Sequence, residues 1–409
     1  MKILQVSNRV PWPLNEGGTI GIYNYTKSFS ELGHDVTLYC LDGHKHNTPI
    51  QEATAELTKY AKLYIHPIDT DVNFDDALKH LLRNKSYNVS RFYNSTFEQE
   101  LIELLSSESF DVVQLEGTFV GPYISSIRKV YKGLIVLRMH NVEYEIWQRL
   151  ANNEKNPFKK LYLNILSRQL KRYESQIIKQ ADAVVPVTDQ DSDKFKQLHS
   201  KGIYKTIPAG INLDTWKFAP STSTQRWYHI GSMEWHANAE AVDWYVNEIH
   251  PLITKKWNNY SLNLAGKGIN AKEFSSVDQV EVIKDVEDAY QFVKSCDVCV
   301  VPLKSGSGIR LKILEAMAAG KLVVSTTIGA QGIDYVDREH LLIADTPSEF
   351  STLFQKLNNN QIEFTSIIKN ARKLIEDNYS TKALAKKQLI FYQSLMQKRV
   401  NHQIYPLLY

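Results

Sequence analysis

The sequence predicts an α/β chain of two similar units, each a parallel sheet covered by helices on both faces. Three observations carry that prediction. Short apolar runs alternate with helical patterns along most of the chain, the order that builds parallel sheets. The rhythm breaks across residues 207–224 and then restarts. And 409 residues suit two or three domains, each large enough to bury its own core.

The elements follow in order. Lys2–Ser7 reads as a buried strand, PWPLNEGG (11–18) as a turn-rich loop, and about Thr19 to Leu32 as a helix. Gly33-His34-Asp35 turns the chain into a strand at Val36–Leu41, which completes a strand–helix–strand unit. Asp111–Leu115, Leu134–Met139 and Ala183–Val187 are further short strands between helical stretches. Ile207–Phe218 has a Pro, a Gly and no periodicity, and Ser221–Gln225 is small and polar, so 207–224 is expected to link two domains, 1–206 and 225–378. In the second domain Trp227–Ile230, Leu262–Ala265, Val280–Ile283, Asp297–Pro302 and Leu322–Ser325 read as strands, with helices at Ala239–Ile249 and Ala289–Lys294. A helical tail, 379–409, closes the chain.

Composition narrows the function classes. The chain is 43% hydrophobic and 23% charged, ordinary for a globular protein. Lys and Arg exceed Asp and Glu by 48 − 45 = 3, which gives no reason to expect a nucleic-acid partner. The start, MKILQVSNRVPWP, is too short and polar for a secretory segment, and no apolar run is long enough to span a bilayer. Three cysteines, Cys40, Cys296 and Cys299, fit a reducing compartment, so a cytoplasmic protein is expected.

The most informative stretch is PLKSGSGIRLKILEAMAAGKLVVST, 302–326. An apolar strand runs into Ser-Gly-Ser-Gly, then into a helix with Ile309, Ile313, Leu314, Met317 and Ala318 on one face. Gly306 and Gly308 would let a ligand approach the backbone, and the helix N-terminus favours a phosphate-like anion. Read alone, the same residues also fit a plain turn, with Lys312 and Glu315 paired on the helix surface and Arg310 in solvent.

The stretch resembles the signature of retaining GT-B glycosyltransferases of the large family four, the glycosyl transferases group 1 type. That signature is a Glu, seven residues, and a second Glu running into Ala-Met-Ala-x-Gly; Glu315 to Gly320 match the second half residue by residue. The resemblance implies two facing Rossmann-like domains with a donor cleft between them, and a tail helix crossing back to the first domain. It implies that Glu315 holds the ribose of a nucleotide-sugar, and it puts Ser307, beside Gly308, where the first Glu would be. Gly17 and Gly18 resemble the Gly-Gly loop whose amides meet the donor phosphates, and His140, beyond the strand ending at Met139, resembles the His near the transferred sugar. Many members grip the diphosphate with an Arg and a Lys just after the second domain's first strand. Here that place, Gly231 to Asn238, has neither, and Arg310 and Lys312 are expected to take over. Glu116 and Arg91 are acceptor-side candidates, the latter with Tyr87, Phe92 and Tyr93.

Other constellations do not assemble. Asp69-Thr70-Asp71 and Asp189-Gln190-Asp191 contain Asp-x-Asp, but the second follows Thr188 and reads as a helix start. Cys296 and Cys299 run into an apolar strand and read as core. No metal or other cofactor is expected. The basic amphipathic segment from Phe158 to Ile178 allows a peripheral bilayer contact, but its stripe (Phe158, Leu161, Tyr162, Ile165, Leu166, Leu170, Tyr173, Ile177) is expected to pack on the first sheet instead. The resulting expectation is a sugar transfer from a nucleotide-diphosphate-sugar to an acceptor hydroxyl of a glycan or lipid-linked glycan, in surface-polysaccharide synthesis. A GT-B epimerase or hydrolase, or a weakly catalytic nucleotide-sugar binder, are the alternatives.

Overall fold

The computed structural model describes residues 1–14, 17–43, 48–70, 86–284, 286–305 and 309–404. The chain divides into two units, 1–210 with 384–409, and 211–383. In the first, the strands are β1 (Lys2–Ser7), β2 (Asp35–Gly43), β3 (Lys62–Ile68), β4 (Val112–Glu116), β5 (Leu134–Met139) and β6 (Ala183–Pro186). Its helices are α1 (Gly17–Glu31), α2 (Ile50–Leu57), α3 (Tyr87–Ser90), α4 (Ser95–Ser107), α5 (Ile124–Val130), α6 (Glu143–Asn153), α7 (Pro157–Gln180) and α8 (Asp189–Leu198). The second unit carries β7 (Arg226–Ile230), α9 (His236–Trp244), α10 (His250–Thr254), β8 (Ser261–Ala265), α11 (Ala271–Phe274), β9 (Val280–Ile283) and α12 (Ala289–Ser295). It continues through β10 (Val298–Val301), α13 (Leu311–Ala319), β11 (Leu322–Ser325), β12 (Leu342–Ile343), α14 (Pro347–Asn358) and α15 (Phe364–Leu374), and α16 (Thr381–Ile404) follows.

The two sheets share one topology. Strand order is β3-β2-β1-β4-β5-β6 in the first and β9-β8-β7-β10-β11-β12 in the second, all pairs parallel. The central strands are apolar and buried because helices cover both faces. In each sheet the winding direction reverses at one place, between β1 and β4 and between β7 and β10. The carboxyl ends of strands at such a reversal leave a crevice, and ligands bind there.

The predicted linker splits. Ile211 exchanges backbone hydrogen bonds with Tyr379 and Thr381, and Ile211 and Trp216 join the second unit's core, so residues from 211 on belong to that unit. The tail helix α16 packs within the first unit. Gln388 donates to Gln114 (2.9 Å), Tyr392 donates to the same oxygen (2.6 Å), and Arg138, fully buried, bonds Gln388 at 2.9 Å and stacks on Tyr25. Gln114, Gln388 and Tyr392 satisfy one another, whereas Nε and Nη2 of Arg138 have no hydrogen-bond partner among the described residues.

The stripe on α7 also divides. Leu166, Leu170 and Ile177 are buried and Tyr173 packs on the first unit's core, but Phe158, Leu161 and Tyr162 are exposed. Burial therefore accounts for that helix from Leu163 onward and not for its first six residues. Cys296 and Cys299 are buried free thiols in the second core, as expected of packing residues. Thr188 caps α8 by accepting from Asp191 N (3.0 Å), so Asp189 and Asp191 open a helix; Asp71 of the other Asp-x-Asp lies outside the described residues.

Candidate functional site

Chemically equipped side chains gather at both topological reversals. In the first unit they line a small cleft of about 80 Å³ that includes Asn8, Arg9, Gly18, Glu116, His140 and Glu143. Glu116 is the last residue of β4 and His140 follows β5, so two neighbouring strands end side by side and deliver one group each. His140 Nε2 lies 2.9 Å from Glu116 Oε2. A carboxylate only accepts, so Nε2 carries a proton and Nδ1 is the ring atom left over. Glu116 is buried, and its other oxygen accepts from Gln5 Nε2 (3.0 Å) and from Gln114 Nε2. Burial pushes its carboxyl pKa up, but the bond and charge of His140 and the charge of Arg138 outweigh that and hold it below the usual range.

A second buried carboxylate shapes the rim. Glu174 on α7 accepts from the backbone N–H of Glu143 (3.1 Å) and Tyr144 (3.2 Å) and from Thr118 Oγ1 (3.0 Å). It thereby ties the first turn of α6, which carries Glu143, to α7. Burial raises the Glu174 carboxyl to about 7 against those three bonds. Glu143, also pushed up by burial, lines the cleft. Sequence reading passed over Asn8, Arg9, Glu143 and Glu174. Asn8 and Arg9 could have been found by applying to β1 the strand-end rule that marked His140.

In the second unit the reversal lies between β7 and β10. His229, buried on β7, uses Nδ1 toward the Val300 carbonyl on β10 (2.9 Å) and Nε2 toward Lys312 Nζ (3.1 Å). Lys312 also donates to Asn238 Oδ1 (2.9 Å), and Asn238 Nδ2 donates to the Ser232 carbonyl (2.8 Å). Arg310 is the N-cap residue of α13, buried, with its guanidinium 5.1 Å from the centre of the Trp235 ring. Both cations of α13 thus reach the segment Gly231–Asn238, which has none of its own. The plain surface reading is corrected on both counts. Arg310 is covered, and Lys312 bonds Asn238 and His229, with Glu315 acting on it only through its charge.

Burial sets the ionisation here. It lowers the Lys312 ammonium to about 8, aided by Arg310 and opposed by Cys299 and Glu315. It raises the Glu315 carboxyl to about 7 against the pull of Lys312. It also drives the His229 pKa down to about 3, helped by Lys312, so that ring stays neutral. The helix ends where Gly320 takes up φ 79° and Lys321 N bonds Ala316 O (2.9 Å), a Schellman-type stop that fixes the frame of the whole signature.

Of the other predicted residues, Gly17 and Gly18 open α1, and Gly18 borders the His140 cleft. Gly231 follows β7 directly, under Lys312 Nζ. Ser307 and Gly308 lie outside the described residues. Arg91 stacks on Phe92 and does not line the His140 cleft; of the residues named with it, Tyr87 and Phe92 are buried and Tyr93 is exposed. Among the described residues no three His, Cys, Asp or Glu side chains converge as metal ligands would.

Comparison with known proteins agrees with this architecture. Residues 224–360 match the family described as Glycosyl transferases group 1. A Klebsiella pneumoniae protein described as an "Uncharacterized 44.6 kDa protein in cps region" is 26% identical over 396 residues, covering 93% of this chain and 97% of its own. The sucrose-phosphate synthase of Thermosynechococcus elongatus superposes with a TM-score of 0.59 at 13% identity, over 97% of this chain and 100% of its own. Anabaena Alr3699/HepE, solved in complex with UDP, gives 0.57 at 12% identity, over 96% and 100%. The fold is GT-B, and the resemblance read from Glu315 to Gly320 falls within the residues that match the family model.

Proposed function

We propose that the chain is a retaining, metal-independent glycosyltransferase that moves a sugar from a nucleoside-diphosphate sugar to an acceptor hydroxyl. The observation that carries this is the delivery of Lys312 and Arg310 from α13 to the loop after β7, with Glu315 one turn further along the same helix. A leaving diphosphate gains negative charge as the sugar–oxygen bond breaks, and fixed cations stabilise it most in a partly dry site. Lys312 supplies a point charge to that diphosphate, and Glu315 accepts from the ribose hydroxyls. His140, oriented by Glu116, serves the sugar. The resemblance supports retention, the UDP held by Alr3699/HepE supports a nucleotide donor, and the cps-region relative supports a surface-polysaccharide acceptor.

The test is a thermal-shift screen against nucleoside diphosphates and their sugars, followed by transfer assays with the best donor. A ligand at about a hundred times its Kd adds roughly 2.7 kcal/mol to stability. Stabilisation by none of them would end the donor assignment. Donor binding without transfer or release of sugar would leave a binding protein instead of an enzyme.

A further inference from the structure

The hairpin of α6 and α7 carries an apolar surface that nothing in its unit covers. Phe158 is 84% exposed, Leu161 61%, Leu150 50%, and Ile146 and Tyr162 38% each. Every residue from Pro157 to Tyr162 is exposed. The core side of α7 is satisfied by Leu163, Leu166, Leu170 and Ile177. At 3.6 residues per turn, Phe158, Leu161 and Ile165 point to the opposite side of the helix, where a surface helix is normally polar. Asn156 caps α7, accepting from the N–H of Phe158 and Lys159, so the exposed end is a formed helix.

The same outward side changes character along its length. After Ile165 it carries Arg168 and Arg172, both exposed, and Lys155 and Lys160 flank the apolar tip. The nearby acids are already matched. Glu154 pairs with Lys159 (2.8 Å), and Glu145 with Lys194 (2.6 Å) and Arg149 (2.9 Å). The face therefore presents aromatic and aliphatic groups at one end and uncompensated positive charge at the other. Between the helices a groove of about 510 Å³ is lined by Arg168 and Lys171, by the paired Arg149 and Glu145, and by Tyr144 and Gln148.

We infer that this face docks the protein on an anionic lipid bilayer. Phe158 and Leu161 would enter the acyl boundary while Arg168, Lys171 and Arg172 meet lipid phosphates. Apolar area and attraction to anionic headgroups add in such contacts. Charge complementarity selects this occupant over a neutral apolar partner. The inference stands apart from the glycosyltransferase reading, since it uses none of the residues assigned there. Among the described residues no helix is long and apolar enough to cross a membrane, so the contact is with the surface.

The experiment is co-sedimentation of the full chain with vesicles of phosphatidylcholine alone and of phosphatidylcholine with phosphatidylglycerol. Binding to the anionic vesicles, weakened by salt and absent from the neutral ones, is expected. The double variants Phe158→Glu with Leu161→Glu, and Arg168→Glu with Arg172→Glu, should each reduce binding by about tenfold or more at an unchanged Tm. A second readout needs no loss of residues from the core. The three native cysteines are buried, so Phe158→Cys can carry an environment-sensitive dye, whose emission should shift to the blue on anionic vesicles. Absence of binding, binding indifferent to both double variants, or a dimer in light scattering that Phe158→Glu dissolves would each overturn the inference.

Discussion

Lys312 Nζ lies 3.1 Å from His229 Nε2, and in that pair the lysine is the donor. The carbonyl of Val300 can only accept, so His229 Nδ1 carries the ring proton and Nε2 presents a lone pair. The other acceptor, Asn238 Oδ1, is neutral too. Lys312 is thus held by two neutral acceptors, and its charge stays available to an anionic ligand. Replacing His229 by Leu should cost roughly 1–3 kcal/mol in urea unfolding, since a buried donor loses its partner. It should also weaken nucleoside-diphosphate binding, with His229→Gln restoring part of both. Unchanged stability and affinity in His229→Leu would show that the ring does not hold the lysine.

Activity should depend on pH through the same group of residues. The Glu315 carboxyl is raised from its usual 4.5 to about 7, so its contribution to stability is complete below 4.5 and is lost as pH rises through about 7. The Lys312 ammonium is lowered from 10.5 to about 8, so its contribution is present above 10.5 and is lost as pH falls through about 8. Between these limits both groups are charged and the empty site is least relaxed, which is the state a diphosphate and ribose need. The kcat/KM for donor is therefore expected to be bell-shaped, with apparent limbs near 7 and near 8. Glu315→Gln should remove the acid limb, and Lys312→Arg should move the alkaline limb beyond the measurable range. A flat profile across that range would contradict the assignment of both residues.

Glu315→Ala should weaken donor binding by about ten- to a hundredfold, the effect of losing a hydrogen bond to a charged group. Calorimetry with the donor found in the screen measures this directly. The fold should survive, because the core side of this helix is made by Ile313, Leu314, Met317 and Ala318. Donor affinity equal to that of the unaltered chain would take Glu315 out of the site.

His140 and Glu116 should behave differently. Both belong to the first unit, whereas the groups proposed for diphosphate and ribose belong to the second. His140→Ala is expected to lower kcat while the Kd for free nucleoside diphosphate stays within about twofold. Glu116→Gln should do the same less severely, since it removes the charge that orients the ring but keeps its volume. An equal fall in nucleotide affinity and turnover would place His140 at the wrong end of the donor.

The strands were legible because a parallel strand buried on both faces is a continuous apolar run. Lys2–Ser7, Leu134–Met139 and Leu322–Ser325 were read residue for residue. The edge strands β3 and β12 escaped. Lys62–Ile68 mixes Lys, His and Pro with its apolar residues, and Leu342–Ile343 is too short to show a pattern. The linker was drawn too long because Pro and Gly mark irregular backbone without saying what it packs on, and Trp216 packs in a core. Glu315, Lys312 and Arg310 were proposed from one motif. Their partners were not, since His229 and Asn238 lie more than seventy positions away and meet Lys312 only once β7 and α13 are placed. The outward side of α7 was misread for a related reason. Periodicity reports that a stripe exists, and says nothing of whether a partner lies under it.

Gly231 and Gly266 offer a final discrimination between a site glycine and a folding glycine. A Cβ on Gly231 would lie 2.6 Å from Lys312 Nζ and 2.7 Å from Asn238 Nδ2, the ends of two side chains that can move. A Cβ on Gly266 would lie 2.0 Å from the Gly231 carbonyl oxygen, which is backbone and cannot, and Gly266 also holds φ at 137°. Gly231→Ala should therefore fold, with the lysine driven out of its seat between His229 and Asn238. The charge remains in the molecule but leaves the end of β7, so nucleoside-diphosphate affinity should fall by about tenfold while Tm drops only modestly. Gly266→Ala should instead lower Tm steeply, and any affinity loss should follow the loss of folded protein. Calorimetry and thermal unfolding of the two variants side by side make the distinction. Full nucleotide affinity in folded Gly231→Ala would mean that the position of Lys312 over that glycine does not matter to the ligand, and the diphosphate would have to be sought elsewhere in the second unit.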